Sequence, residues 1–336
     1  MPSNISRILI TGGAGYIGSH TARKLIDAGY TLTIVDTLST GHRWAVPKSA
    51  KFYRLDSGNR EEMVEILRGN DIEAVIHFAG DVVVPESIKD PLKYYENNVV
   101  GSMNLISACR KCSIGLFVFS SSAAVYGNPA EIPVSETTAT IPINPYGRTK
   151  LITEWNLHDI AASSQNSHSQ FRYVALRYFN VAGASFDGTL GPATPDSTHL
   201  IKVACETALG KHKTMSIFGT DYPTLDGTCI RDYVHVEDIA TAHLDALEYL
   251  ANGGDSERLN CGYGKGYSVQ QVVNTIKSVA NVNFPIVASP RRQGDAPQVV
   301  ADNRRILEVL GWVPMHDNLE EICRTAWEWE KRYNED

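Results

Sequence analysis

With 336 residues, 43% of them hydrophobic and 21% charged, the chain has the length of about two domains and ample capacity for a core. Its formal net charge is −7, with no long run of lysine or arginine, which excludes a general nucleic-acid or membrane-surface binder. An anionic ligand must instead be held by a few local arginines and by helix ends. No leader-like apolar stretch precedes the first strand and no later apolar run reaches about 18 residues, so a cytoplasmic location is expected.

The chain opens on Arg7-Ile-Leu-Ile-Thr11-Gly12-Gly13-Ala14-Gly15-Tyr16-Ile17-Gly18. A β-branched apolar run ends in glycines and passes into a segment where Ile17, Leu25 and Ile26 recur at helical spacing, which reads as strand, tight turn and helix. Gly12, Gly15 and Gly18 suit a compact turn, a close approach of backbone to ligand, and close helix–strand packing. The unpaired N–H groups of the first helical turn, at Tyr16 and Ile17, then point at an anion, most simply a dinucleotide pyrophosphate. A second strand, Thr31–Val35, ends in Asp36, at the separation where an acidic residue accepts from the adenosine ribose. A carboxylate there repels a 2′-phosphate, so NAD is expected over NADP.

Strand-like runs at 8–11, 32–36, 52–55, 74–78, 116–120 and 173–177 alternate with helix candidates at 16–28, 61–68, 99–112 and 146–161. Alternation of β and α predicts a Rossmann-type doubly wound parallel sheet, with ligands beyond the carboxyl ends of its strands. The residues that follow each run are therefore of interest: Asp36, Asp56, Ala79-Gly80, Ser121-Ser122 and Tyr178-Phe179-Asn180. Ser163–Gln170 is polar and reads as a surface loop. After Asn180 the alternation is lost, and a smaller α+β domain is expected over 181–336, following a cofactor domain over 1–180, with the chain free to cross between them. Its helices are expected near 200–210, 269–280 and 319–333, the last presenting Ile322, Ala326 and Trp329 as packing surface.

The six cysteines are Cys109, Cys112, Cys205, Cys229, Cys261 and Cys323. Cys109 and Cys112 form one CxxC late in a helix, without a second pair at zinc-finger spacing, and the ten histidines form no HExxH set. Reduced cysteines and no metal are expected.

Pro145-Tyr146-Gly147-Arg148-Thr149-Lys150 opens a helix, and Tyr146 and Lys150, at i and i+4, share one face of it. An ammonium and a cationic nicotinamide near a tyrosine favour its phenolate, so that a group of ordinary pKa near 10 can act as a base around neutral pH. The strand before it ends Ser120-Ser121-Ser122, where a hydroxyl can bridge the tyrosine and a substrate hydroxyl. With the dinucleotide turn, these features predict hydride transfer at a carbon that bears a hydroxyl.

At these residues the chain resembles the extended short-chain dehydrogenase/reductase family, through Thr11–Gly18, Ser122 and Tyr146-x-x-x-Lys150. Longer stretches resemble the UDP-glucose 4-epimerase (UDP-galactose 4-epimerase) branch: His77–Gly80, Tyr94–Asn98, Phe119–Gly127, Leu176–Asn180, Ile217–His235 and Pro290–Asp295. The resemblance runs from the first strand to the last helix. It implies a redox-neutral exchange at C4 of a UDP-hexose, with Tyr146 as base assisted by Ser122 and with Lys150 reaching the nicotinamide ribose. It further implies an NAD site lined by Asp56, Ser57, Phe78, Ala79, Gly80, Asn97, Ser120 and Phe179. For the UDP-sugar it implies Asn180, Phe218, Arg231, Arg292 and Asp295, flanked by Tyr178, Ile217 and Tyr233. A homodimer through helices around 99–112 and 145–161 is also implied.

The sequence departs from the family pattern at three places. His199-Leu200 stand where Asn-Leu is usual, so an imidazole N–H would take over a diphosphate contact. Val82 replaces a lysine that often contacts the cofactor. Val299 stands where members restricted to glucose and galactose carry tyrosine, which implies room for an N-acetyl group. Ala123-Ala124 replace the acid pair that a 4,6-dehydratase needs to eliminate water, and a decarboxylase lacks its glutamate for the same reason. A dehydrogenase would release its cofactor, and a non-catalytic NAD sensor would be expected to lose Tyr146 and Lys150.

Overall fold

The computed structural model describes residues 5–165, 170–194, 198–292 and 295–333. The apolar runs of the first half form β1 (Arg7–Thr11), β2 (Thr31–Asp36), β3 (Lys51–Arg54), β4 (Ala74–His77), β5 (Leu116–Ser122) and β6 (Arg172–Tyr178), all parallel to their neighbours. With the strand Glu257–Cys261 they make one seven-stranded sheet in the order 257–261, β6, β5, β4, β1, β2, β3. The order reverses between β1 and β4, the crevice where a doubly wound Rossmann-type sheet receives its ligand. Both faces are covered, which is why these strands read as continuous apolar runs. Leu9, Val75, Phe117 and Ala175 enter one core cluster, and Ile8, Ile10, Ile76, Val118 and Val174 the other.

Between the strands lie α1 (Tyr16–Asp27), α2 (Arg60–Gly69), α3 (Val84–Lys89), α4 (Pro91–Tyr94), α5 (Gly101–Lys111) and α6 (Pro145–Ser164). Their starts follow from local chemistry. Asn59 caps α2 through the Glu62 N–H, and Glu61 and Glu62 sit in its first turn, where the helix dipole favours carboxylates. Asn144 caps α6 through the Gly147 N–H at 2.8 Å, with Pro145 in the first turn. The helix expected over 99–112 differs at its start: Tyr95–Val100 is a π-helical segment that runs into α5, and Cys112 is the cap rather than part of the helix. Asn166–Ser169 of the expected polar loop lie outside the described residues.

The second half contributes more to the sheet than its composition suggests. Glu257–Cys261, in the range assigned above to the smaller domain, pairs with β6, and the helix Val236–Ala251 packs on α1, β5 and β6. Around it, short strands build the substrate side: Asn180–Ala182 beside Tyr233–His235, Met215–Phe218 beside Ile286–Ser289, and Ile230–Arg231 between Tyr267–Ser268 and Gln298–Val299. Helices form at Leu200–Ala208, Val269–Ala280 and Leu319–Arg332, as the spacing predicts. Ile322, Ala326 and Trp329 of the last are buried.

Candidate active site

One cavity of about 1670 Å³ runs along the carboxyl ends of the strands and out between the short strands of the second half. Single-ligand pockets are about 300–1,000 Å³, so two sizeable ligands fit. The candidate cofactor and substrate residues line it except Lys150, which lies buried just behind the wall, and Ser121, of the strand end, is likewise buried outside it.

The cofactor end is built from backbone. Gly12 sits at φ +70°, and a Cβ there would come within 2.7 Å of Ala79 N; a Cβ at Gly18 would lie 2.2 Å from the Gly12 carbonyl oxygen. Only glycine lets strand, turn and helix close this tightly. No side chain caps α1 at Gly15 and no acidic residue stands in its first turn, so the helix dipole is left open to an anion. These features fit a dinucleotide pyrophosphate. Asp36 does more than the sequence implied: its oxygens accept from Ala14 N at 2.9 Å and Leu38 N at 2.8 Å, so it braces the turn while lining the cavity. Tyr16 donates to the Gly183 carbonyl at 2.6 Å, which ties the helix to the second half. Asp56, Ser57, Phe78, Ala79, Gly80 and Asn97 continue the wall, with Val82 half exposed at the rim.

The loop after β4 is held by residues that sequence reasoning missed. His77 is sandwiched between the Thr11 hydroxyl at 2.6 Å and the Ser102 hydroxyl at 2.8 Å. Ser102 donates to Asn98 O, so His77 Nε2 is the donor and Nδ1 the acceptor of the pair. Burial, and then the nearby Lys150 charge, lower its pKa to about 3, so it is neutral. Asn98 spans the gap from Asp81 N–H and C=O, at 2.8 and 2.9 Å, to Thr149 Oγ1 at 3.1 Å. The π-helical turn points Asn97 into the cavity wall while Asn98 clamps behind it.

At the centre, the first turns of α6 face the end of β5. Lys150 Nζ donates to the Ser120 carbonyl at 2.8 Å and stands 5.9 Å from the centre of the Tyr146 ring. Burial lowers the Lys150 pKa to about 8, against the opposing charge of Glu154. Burial pushes the Tyr146 phenol above its ordinary value, and a hydrogen bond to Ser122 acts the other way. The protein alone therefore keeps it a phenol, and the phenolate requires the further positive charge of the cofactor ring. Tyr178 lines the cavity, but its hydroxyl is turned to Ser120 and to His243 Nε2. It braces the strand end rather than offering a polar group to substrate.

The far end is built from side chains. The Arg292 guanidinium lies 3.8 Å from the centre of the Phe218 ring, and Arg231 pairs with Asp295 at 3.7 Å. Asn180 borders the cavity, fixed by its N–H to the Asp232 carbonyl at 2.9 Å. Ile217 and Tyr233 support this wall from below and are nearly fully buried. His199 stands at the start of the helix Leu200–Ala208, its imidazole pKa lowered by burial and by Lys202. Val299 and Phe179 complete the middle of the wall. Gln293 and Gly294 of the Pro290–Asp295 motif lie outside the described residues.

The family model of NAD dependent epimerases and dehydratases matches residues 8–262. The chain belongs to this family. A UDP-glucose 4-epimerase of Azospirillum brasilense is 51% identical over 97% of the chain and 92% of its own length. The Brucella ovis UDP-glucose 4-epimerase, solved in complex with NAD, superposes with a TM-score of 0.91 at 44% identity, covering 96% of this chain and 98% of that one. The UDP-Glc/GlcNAc 4-epimerase of Campylobacter jejuni superposes at 0.84, also at 44% identity, covering 98% and 100%. These solved relatives share the fold of this chain.

Proposed function

We infer that this chain interconverts UDP-glucose and UDP-galactose by transient oxidation at C4 of the sugar, with NAD as its cofactor. The observation that carries the reading is the meeting of the glycine cradle, the Ser122–Tyr146–Lys150 group and the Phe218–Arg292 clamp in one cavity. Bound NAD supplies the hydride acceptor and donor for C4 and the positive ring that favours the Tyr146 phenolate. Tyr146 takes the proton of the 4-hydroxyl, with the Ser122 hydroxyl between them, and returns it after the sugar has turned over. Lys150 adds its charge beneath the phenol and keeps Ser120 in place. Phe218 offers a face to uracil, Arg231 and Arg292 offer guanidiniums to the diphosphate, and Asp295 offers a carboxylate to the ribose. Val82, Ala123, Ala124 and Val299 add apolar surface to the cavity wall, which suits a nucleotide that is gripped while the 4-keto sugar stays free to rotate.

The test is incubation of purified protein with UDP-galactose and no added NAD, following the anomeric protons by NMR. Formation of UDP-glucose is expected. No conversion, with NAD added as well, overturns the reading.

Val299 supports a wider substrate range, since valine leaves space that a tyrosine ring would fill. UDP-GalNAc and UDP-GlcNAc are then substrates too, and Val299→Tyr removes that activity while sparing UDP-galactose; equal activity of the variant on both pairs would contradict it. The six free thiols suit a reducing cytoplasm. Exposed Val100 at the end of the π-helical segment, Met103 on α5 and Trp155 on α6 support a homodimer, which light scattering at micromolar concentration checks.

A further inference from the structure

Directly behind the reacting group lies an ion pair that the proposed chemistry leaves unused. Glu154 stands one helical turn after Lys150 on α6 and is fully buried. Its Oε1 accepts from Ser121 Oγ at 2.5 Å and from Arg177 Nε at 3.0 Å, and its Oε2 accepts from the other arm of the same guanidinium at 2.6 Å. Arg177, on β6 and 2% exposed, also donates to Tyr126 Oη at 2.8 Å, and Tyr126 donates to Asn260 Oδ1 at 2.7 Å. The network joins α6, β5, β6, the turn after β5 and the strand Glu257–Cys261.

A buried pair of this kind is weak evidence for stability, because well-packed apolar residues of the same size usually hold a fold as well. Its position gives it another use. Side chains alternate along β5, so Ser120 and Ser122 face the cavity while Ser121 faces Glu154. The end of β5 is thereby fixed to α6 at two points one turn apart, Ser121 to Glu154 and the Ser120 carbonyl to Lys150. A slip at either point would turn the Ser122 hydroxyl away from Tyr146. Glu154 is also the negative charge that opposes the effect of burial on Lys150.

Resting on the roles given above to Ser122, Tyr146 and Lys150, we propose that Glu154 is a positioning residue for the reaction: it sets the end of β5 against α6 and keeps a negative charge beneath the Lys150 ammonium. Arg177 holds that carboxylate in place through both arms of its guanidinium.

Three variants of the NAD-bound protein test this. Glu154→Gln keeps an acceptor for Ser121 but loses the charge; kcat falls roughly 10–100-fold, KM for UDP-galactose changes less than about twofold, and the alkaline limb of the kcat profile moves down by about one pH unit. The double variant Glu154→Leu/Arg177→Met replaces the pair by apolar groups and guards against an unfolded single variant; it folds, loses kcat similarly, and shows a smaller downward move of the limb. Ser121→Ala lowers kcat severalfold and leaves the limb in place. The Lys150 titration is read independently of turnover by NMR of 13C-labelled lysine, assigned with Lys150→Arg. It is expected about one pH unit lower in Glu154→Gln. If folded Glu154→Gln and the folded double variant keep the wild-type limb and Lys150 titration, the proposal is overturned. Absence of any epimerisation by the wild-type protein would instead overturn the function, and the lysine titration would still decide on Glu154.

Discussion

The two ends of the cavity are made of different material. The cofactor end is backbone: a glycine turn in which a Cβ at Gly18 would lie 2.2 Å from a carbonyl oxygen, an uncapped helix, and a carboxylate that braces two N–H groups. The nucleotide end is side chain, with Arg292 over Phe218 and Arg231 beside Asp295, carried on two-to-four-residue strands and on loops. A backbone site tolerates little variation but serves any dinucleotide enzyme, whereas a side-chain site can be retuned one residue at a time. The first fixes the kind of chemistry and the second the substrate.

Substitutions should separate the two ends. The largest effect is expected at the junction between them: Tyr146→Phe removes the base and lowers kcat by about 10²–10⁴-fold, while retention of NAD and binding of UDP, measured by calorimetry, stay unchanged. At the cofactor end, Gly18→Ala forces the turn open. A loss of about 2–3 kcal/mol in stability is expected, with loss of co-purifying NAD, read by denaturation and by absorbance of the extracted cofactor. At the nucleotide end, Arg292→Ala removes a cation from the Phe218 face and from the diphosphate. KM for UDP-galactose rises about 10–100-fold, with kcat and NAD content unchanged. An Arg292→Ala protein that loses NAD would break the division between the ends.

The same contrast decides what could be read from the sequence. The glycine turn, six of the seven sheet strands and the Tyr146/Lys150 face were legible because each rests on a local rule of spacing. Phe218, Arg231, Arg292 and Asp295 follow no such rule, since the fold brings them together from two short strands and a loop more than fifty residues further on, and only the family resemblance pointed to them. Glu257–Cys261 escaped notice as the seventh strand because it lies at the sheet edge and spells Glu-Arg-Leu-Asn-Cys, without an apolar run. The helix Val236–Ala251 was missed although Glu237, Thr241, Asp245 and Glu248 recur at helical spacing along its less buried side. The bracing roles of His77, Asn98 and Glu154 were invisible for a different reason, although His77 and Asn98 stand in stretches that carry the resemblance: each acts by holding another residue, which only contacts reveal.

The smallest expected effect lies on that helix, which packs against the cofactor half. Burial, and then repulsion by Glu248, raise the Asp245 pKa to about 6. Folding therefore binds a proton between about pH 4, where the unfolded carboxyl titrates, and pH 6. The proton-linked stabilisation is complete below about pH 4 and is lost as pH rises through 6, so above that the ionised group costs stability. Asp245→Asn should gain about 1 kcal/mol at pH 8 and nothing at pH 4, in urea denaturation. An equal gain at both pH values would assign the effect to something other than the charge.

The central claim is that hydride leaves C4 and returns to it within one cavity, and UDP-galactose deuterated at C4 tests it most directly. The account predicts that UDP-glucose forms with the deuterium still on C4, in ordinary water and without added NAD. Loss of the label to solvent during conversion would contradict it, since C4 would then have exchanged a proton with water instead of a hydride with the bound cofactor.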